Sequence, residues 1–206
     1  YGTDKPDLRY ELLINNISDE VKGKNFQIFD NNEITVCLRV EGKSDLTRKE
    51  IDEITDWVKR PQIGASGLLW IKHNNDSSFK SSFDKFFSES DLRVISEKIS
   101  SKPGDIIFIM SGEYKKTLEQ LGSLRVELAN RFNLIDQKKI CPLWVTDFPL
   151  FEWDEEEKRF FSMHHPFTSP KPEFLDILDK QPEKVIANAY DLVLNGNEIG
   201  GGSIRI

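Results

Sequence analysis

Between the segments "AYDLVL" and "NEIGGGSIRI" stands one Asn195-Gly196 pair. A two-residue turn that matches the twist of its strands needs positive φ at both central positions, and Asn-Gly tolerates this. The chain is therefore committed to an antiparallel hairpin. With the turn at 195 and 196, Leu194 faces Asn197 and Val193 faces Glu198. Asp191 then lies diagonal to Glu198 on one face, about 7–8 Å away between Cα atoms. Two carboxylates at that separation either share a magnesium-bridged polyphosphate or stand as solvated acids on an exposed face.

Gly200, Gly201 and Gly202 follow at once. Glycine inside a strand weakens packing and marks a bulge or a close approach of a ligand to the backbone. Counting by two from Glu198 puts Arg205 on the opposite face. A one-residue bulge among the glycines reverses this and turns the planar guanidinium toward a carboxylate beside the metal-bound phosphates. Without a bulge, Arg205 is a rim charge. His164 and His165 in "MHHPFTSP" are adjacent, so in an extended segment they point to opposite sides and do not bind one metal together. One of them can donate to an anionic ligand while the other packs or faces water; otherwise both belong to a surface loop before Pro166.

Upstream, helices and strands alternate. A short helix is expected at Ile17 to Lys22, then half-buried strands in "FQIF" and "EITVCLRVEG", whose apolar and polar residues alternate, with "DNNE" as their turn. Thr47 and Glu50 form a capping box ahead of Ile51, Ile54, Trp57 and Val58 at helical spacing, which predicts a helix over about 48–59. "GLLWIKHN" reads as a strand, Ser90 opens a helix, Pro103-Gly104 ends it, and "DIIFIMSG" is the next strand. "HNNDSSFKSSFDKFF" reads as a long mobile loop and His73 as a surface residue. A longer helix over about 113–132 carries Leu118, Leu121, Leu124, Leu128 and Phe132 on one side, with Gly122 inside it costing about 1 kcal/mol against Ala; it is a candidate bridge between two units. After Lys139 the pattern changes to long apolar strands with one short helix near 173–179. The fold class is α+β, with a mixed module first and the edge of an antiparallel sheet after it.

Of the 206 residues, 38% are hydrophobic and 31% charged, enough for a sizeable core. No apolar run approaches the roughly 20 residues of a membrane span, and the opening "YGTDKPDLRY" has no signal-peptide core. The formal charge of −7 argues against a surface devoted to nucleic-acid phosphates. Cys37 and Cys141 have no CxxC partner, so buried, reduced thiols and a cytoplasmic setting are expected.

"YGTDKPDLR", "PLWVTDFPLFE", "MHHPFTSPK" and "ANAYDLVLNGNEIGGGSIRI", in this order, resemble the bacterial-type aspartyl-tRNA synthetases, and "CLRVEGKSDLTRKEID" resembles their inserted GAD domain. The resemblance implies a GAD-type insertion at about 21–120 and a connecting helix at 121–135; the insert is expected to fold when expressed alone, because Ile51, Ile54, Trp57 and Val58 need the strands "TVCLRV" and "LLWI" to cover them. Around them lie two parts of an antiparallel class II catalytic sheet, 1–20 and 136–206. It implies that Asp191 and Glu198 hold the magnesium of ATP, that Glu198 contributes to ATP binding, and that Arg205 and His164 bind the aspartate. The implied partners are ATP, L-aspartate, tRNA(Asp) and a second copy in a homodimer, with no DNA and no membrane. No protein nucleophile is implied. The family's anticodon barrel, motif 2 arginine loop and "GLDR" segment have no counterpart here, so the chain is expected to be a piece of such an enzyme and inactive alone. The rival readings are a non-catalytic GAD-like module that binds RNA or protein, and a relative that keeps the hairpin without the chemistry.

Overall fold

The alternation in "EITVCLRVEG" predicts a half-buried strand, but Ile34–Val40 is buried along nearly its whole length, and with "IIFIMSG" it forms the centre of a sheet covered on two sides. The computed structural model describes residues 1–206, in two units: residues 1–3 with 10–135, and residues 4–9 with 136–206. The first unit runs β1 (Ile14–Asn16), α1 (Ser18–Val21), α2 (Gln27–Asp30), β2 (Ile34–Val40), α3 (Arg48–Val58), β3 (Leu69–His73), β4 (Phe79–Ser81), α4 (Glu89–Lys98), β5 (Ile106–Gly112) and α5 (Tyr114–Arg131). Its sheet has the order β1-β2-β5-β3-β4, every pair antiparallel. β2 and β3 therefore run the same way with β5 inserted between them, a split β-α-β arrangement. Val36, Leu38, Phe108 and Met110 face α3 and α5, while Cys37, Ile107 and Ile109 share the other core with α1, α2 and α4.

The capping box is present: Glu50 N donates to Thr47 Oγ1 at 3.3 Å and Thr47 N to Glu50 Oε2 at 2.7 Å. Ile51, Ile54 and Val58 are buried as their spacing requires. Along α5, Leu121, Leu124 and Leu128 are buried against this same sheet. Gly122 has a packing cause that outweighs its poor helix propensity, since a Cβ there would collide with the backbone oxygen of Gly2. Arg125 is 1% exposed. Its Nε donates to Leu12 O at 2.7 Å and its Nη1 to the Tyr10 hydroxyl at 2.9 Å, and the guanidinium lies 4.1 Å from the Tyr10 ring.

Several local expectations are corrected. "FQIF" is not a strand but opens α2, with Phe26 as its N-cap, because Phe26 and Phe29, about one helical turn apart, both enter an aromatic cluster with Phe83 and Phe87. The stretch read as a mobile loop is held down by that cluster: β4 pairs with β3, and Phe83 and Phe87 are buried. The helix at 89–98 is capped by Ser88, whose hydroxyl accepts from Asp91 N, rather than opened by Ser90. Cys37 is buried, which raises its thiol pKa, whereas Cys141 is only half-buried.

His73 is buried, not superficial. Its Nδ1 lies 3.3 Å from both the Ser96 and Ser101 hydroxyls, and its ring packs at 4.4 Å on Phe79. Burial, the largest influence, lowers its pKa below the usual 6.5. The unfolded chain thus takes up this proton first on acidification, so His73's contribution to stability is present above pH 6.5 and lost as pH falls toward its folded pKa. Urea unfolding of residues 1–135 should show a lower midpoint at about pH 5.5 than at about pH 7.5, and His73→Gln should reduce that difference. An identical pH response in the variant would refute the assignment.

The second unit has a sheet of order β10-β9-β6, from β6 (Pro142–Thr146), β9 (Ala189–Leu194) and β10 (Asn197–Ser203), and a hairpin of β7 (Phe151–Asp154) with β8 (Arg159–Ser162). All pairs are antiparallel. The long strand expected in "CPLWVTDFPLFEWD" is divided at Asp147, which has a φ of 65° and pairs with Lys171. The expected short helix is a 3₁₀ segment, Pro172–Ile177. Phe148, Leu150, Val185, Ala187 and Ala189 form this unit's core.

Candidate functional site

Asn195 and Gly196 have φ values of 51° and 83°, as the hairpin turn demands. Asn195 also ties the turn to its neighbours: its Oδ1 accepts from Cys141 N at 3.0 Å and its Nδ2 donates to Lys139 O at 3.2 Å. Asn197 pairs with Leu194 and Glu198 with Val193, but Gly200 then pairs with Leu192, so one extra residue, Ile199, is inserted between them. The bulge falls just ahead of the glycines rather than among them. Beyond it Gly201 faces Asp191 and Ser203 faces Ala189, so Asp191, Glu198, Gly201 and Ser203 share one side of the hairpin. By the same alternation Arg205 falls on that side.

The glycines answer to the chain's own side chains. A Cβ on Gly201 would collide with Asp191 Oδ1, and one on Gly202 would lie 2.7 Å from the Tyr190 hydroxyl, whereas one on Gly200 would meet nothing within 4 Å. The Asp191 carboxyl is laid across β10 over a residue that has no side chain.

Asp191 is half-buried, and Glu198 is exposed. Burial first, then the Glu198 charge, push the Asp191 carboxyl above the usual carboxylate range, while His164 and Lys5 oppose the shift. Asp191 thus sits in a partly desolvated setting and feels the charge of Glu198. Lys5 Nζ stands 3.6 Å from Glu198 and 2.8 Å from Asp4.

The two histidines have different neighbours. The exposed His164 stands edge-on to Phe148 at 4.6 Å, while His165 Nδ1 accepts from Phe167 N at 3.1 Å and so belongs to its own turn. Residues 167–169 run beside the end of β10: Thr168 bridges Arg205, Ser169 N donates to Ile204 O at 2.8 Å, and Ile206 N to Phe167 O at 3.0 Å. The two motifs are thus joined by backbone hydrogen bonds. Arg205 is exposed, and its guanidinium has no hydrogen-bond or ion-pair partner in the chain.

No three or more His, Cys, Asp or Glu side chains gather as a metal site. Two carboxylates on one face fit a magnesium ion that keeps water and takes its remaining oxygens from a bound polyphosphate, and they do not fit an all-protein cage. The approach of Lys5 to Glu198 was not legible, because no local pattern links the "TDKPD" segment to a hairpin at the other end of the sequence.

The chain matches the family model for class II tRNA synthetases (D, K and N) over residues 1–206. It is 51% identical over 206 residues to the aspartate–tRNA ligase of Flavobacterium psychrophilum, and 49% identical over 207 residues to those of Porphyromonas gingivalis and Bacteroides fragilis. Each match covers all of this chain and 35% of the relative, so the chain spans about a third of the length of these relatives. The hairpin, its motif partners and the antiparallel sheet are carried by a chain that belongs to the class II tRNA synthetase (D, K and N) family.

Proposed function

We propose that this chain is part of an aspartate–tRNA ligase that joins L-aspartate to ATP as aspartyl-adenylate and then passes the aspartyl group to tRNA(Asp). The observation that supports this best is the bulge at Ile199, which gives Arg205 the same facing as Asp191 and Glu198. In this reading Asp191 and Glu198 hold magnesium on ATP, Glu198 contributes to nucleotide binding, Arg205 grips the aspartate side-chain carboxylate, and His164 donates to the same substrate. Magnesium, when bound, supplies neutralisation of phosphate charge. The protein supplies no nucleophile: the substrate α-carboxylate attacks the α-phosphorus of ATP, the bond from that phosphorus to the bridging oxygen breaks and pyrophosphate leaves, and the chain's part is positioning and charge complementarity.

The reading extends to architecture. The second unit is part of the catalytic sheet, and the body around 21–120 is a GAD-type insertion, continued by the helix into 121–135. The complete enzyme acts as a cytoplasmic homodimer. No helix is long and apolar enough to cross a membrane.

Arg205→Lys provides the test. Lysine keeps the charge but loses two parallel donors, so use of aspartate in pyrophosphate exchange by the full-length ligase should fall by about 1.5–3 kcal/mol, with use of ATP little changed. Unaltered kcat/KM for aspartate would reject the role.

A further inference from the structure

We propose that Lys5 is a positioning residue of the carboxylate face, holding Glu198 while the site is empty and giving it up to the metal when magnesium nucleotide binds. This rests on the reading of Asp191 and Glu198 as the carboxylates that hold that magnesium.

The segment that carries Lys5 is fixed by the hairpin itself. Arg9 clamps Asp7 through Nε at 3.0 Å and Nη2 at 2.7 Å, and Arg9 N donates to the same carboxylate at 3.0 Å. Asp7 lies against the turn, where a Cβ on Gly196 would come within 3.3 Å of Asp7 Cβ and 3.8 Å of Lys5 O. With Lys5 O and Asp7 both at the turn, the lysine side chain is directed to the first carboxylate after it, Glu198, at 3.6 Å. Asp4, at 2.8 Å from Lys5 Nζ, is a second anchor that keeps the ammonium at this face when Glu198 is withdrawn. Asp191 and His164 are further charged groups at this face, Glu198, Lys5 and Asp4 all acting on Asp191.

The consequence is a competition. Two acids on one face repel, and a lysine shared between Asp4 and Glu198 relieves that repulsion until a divalent cation does so more strongly. Both partners are about two-fifths exposed, so the ion pair is weak enough to be displaced. Once displaced, the ammonium remains beside the nucleotide phosphates as an additional cation.

Removing Lys5 therefore has opposite effects on metal alone and on metal with nucleotide. In this chain, Lys5→Met should bind Mn2+ alone about two- to fivefold more tightly than the wild type, as followed by electron paramagnetic resonance. In the full-length ligase the same change should raise KM for magnesium ATP in pyrophosphate exchange by about fivefold or more, and Lys5→Arg should return both values toward wild type. A bystander lysine would move neither, and one that merely supports the fold would weaken both. Any pattern other than the opposed pair, including no detectable Mn2+ binding by either protein, overturns the proposal. Asp191→Asn and Glu198→Gln separate the two layers. If both leave Mn2+ binding and exchange unchanged, the carboxylate reading itself falls; if they abolish exchange while Lys5→Met behaves as wild type, only the role of Lys5 falls.

Discussion

Residues 21–120 expressed alone are expected to give the poorly dispersed amide spectrum of an unfolded chain, whereas residues 1–135 fold. This departs from the expectation that the insert folds within 21–120, and the reason is the composition of the core. Tyr10 and Leu12 from before that span, and Leu121, Leu124 and Leu128 from after it, are all buried in the cluster between the sheet and its helices. Each such side chain contributes roughly 1.5–3 kcal/mol by burial, so losing five removes about as much as the whole net stability of a domain. The shorter piece also loses β1 from the edge of β2 and takes from β2 most of the cover that α5 gives it. The network of Arg125 with Tyr10 and Leu12 spans both deleted segments, one on each side. A well-dispersed spectrum with a cooperative urea transition for residues 21–120 would show that these outer segments are dispensable.

Asp191→Ala and Glu198→Ala in the full-length ligase should each lower adenylate formation by about a hundredfold or more, since several kcal/mol of phosphate-charge stabilisation depend on a correctly held metal. Asp191→Asn separates chemistry from folding. The native Asp191 charge is disfavoured by burial and by Glu198, so the neutral amide removes a repulsion and the variant should melt no lower than the wild type while losing exchange. Wild-type exchange rates in the alanine variants would leave the two acids as a merely solvated pair. A large fall in melting temperature for Asp191→Asn would instead assign Asp191 a structural role.

The limits of sequence reading are visible at particular residues. The capping box at Thr47, the helical stripe of Ile51, Ile54 and Val58, and the Asn195-Gly196 turn were all legible, and each appears in the structure. Phe26 and Phe29 misled the assignment of "FQIF", because an apolar run of four is compatible with either a strand or a helical turn until Phe83 and Phe87 are placed beside it. His73 looked superficial because it follows a strand and precedes polar residues, and its burial comes from Ser96, Ser101 and Phe79.

The sequence by itself determined those features whose partners lie within a few residues: the caps, the helical and strand periodicities, the hairpin turn and the pairing of Val193 with Glu198. These depend on backbone geometry and short-range hydrogen bonds, which a local pattern specifies completely. Only the tertiary structure decided that the bulge falls on Ile199, that Gly201 is bare because Asp191 crosses it, that α5 belongs to the first unit's core, and that Lys5 reaches Glu198. Each of these pairs groups distant in sequence or competes among nearly equal local alternatives, and the choice is made by the close packing of side chains that the local pattern leaves unspecified.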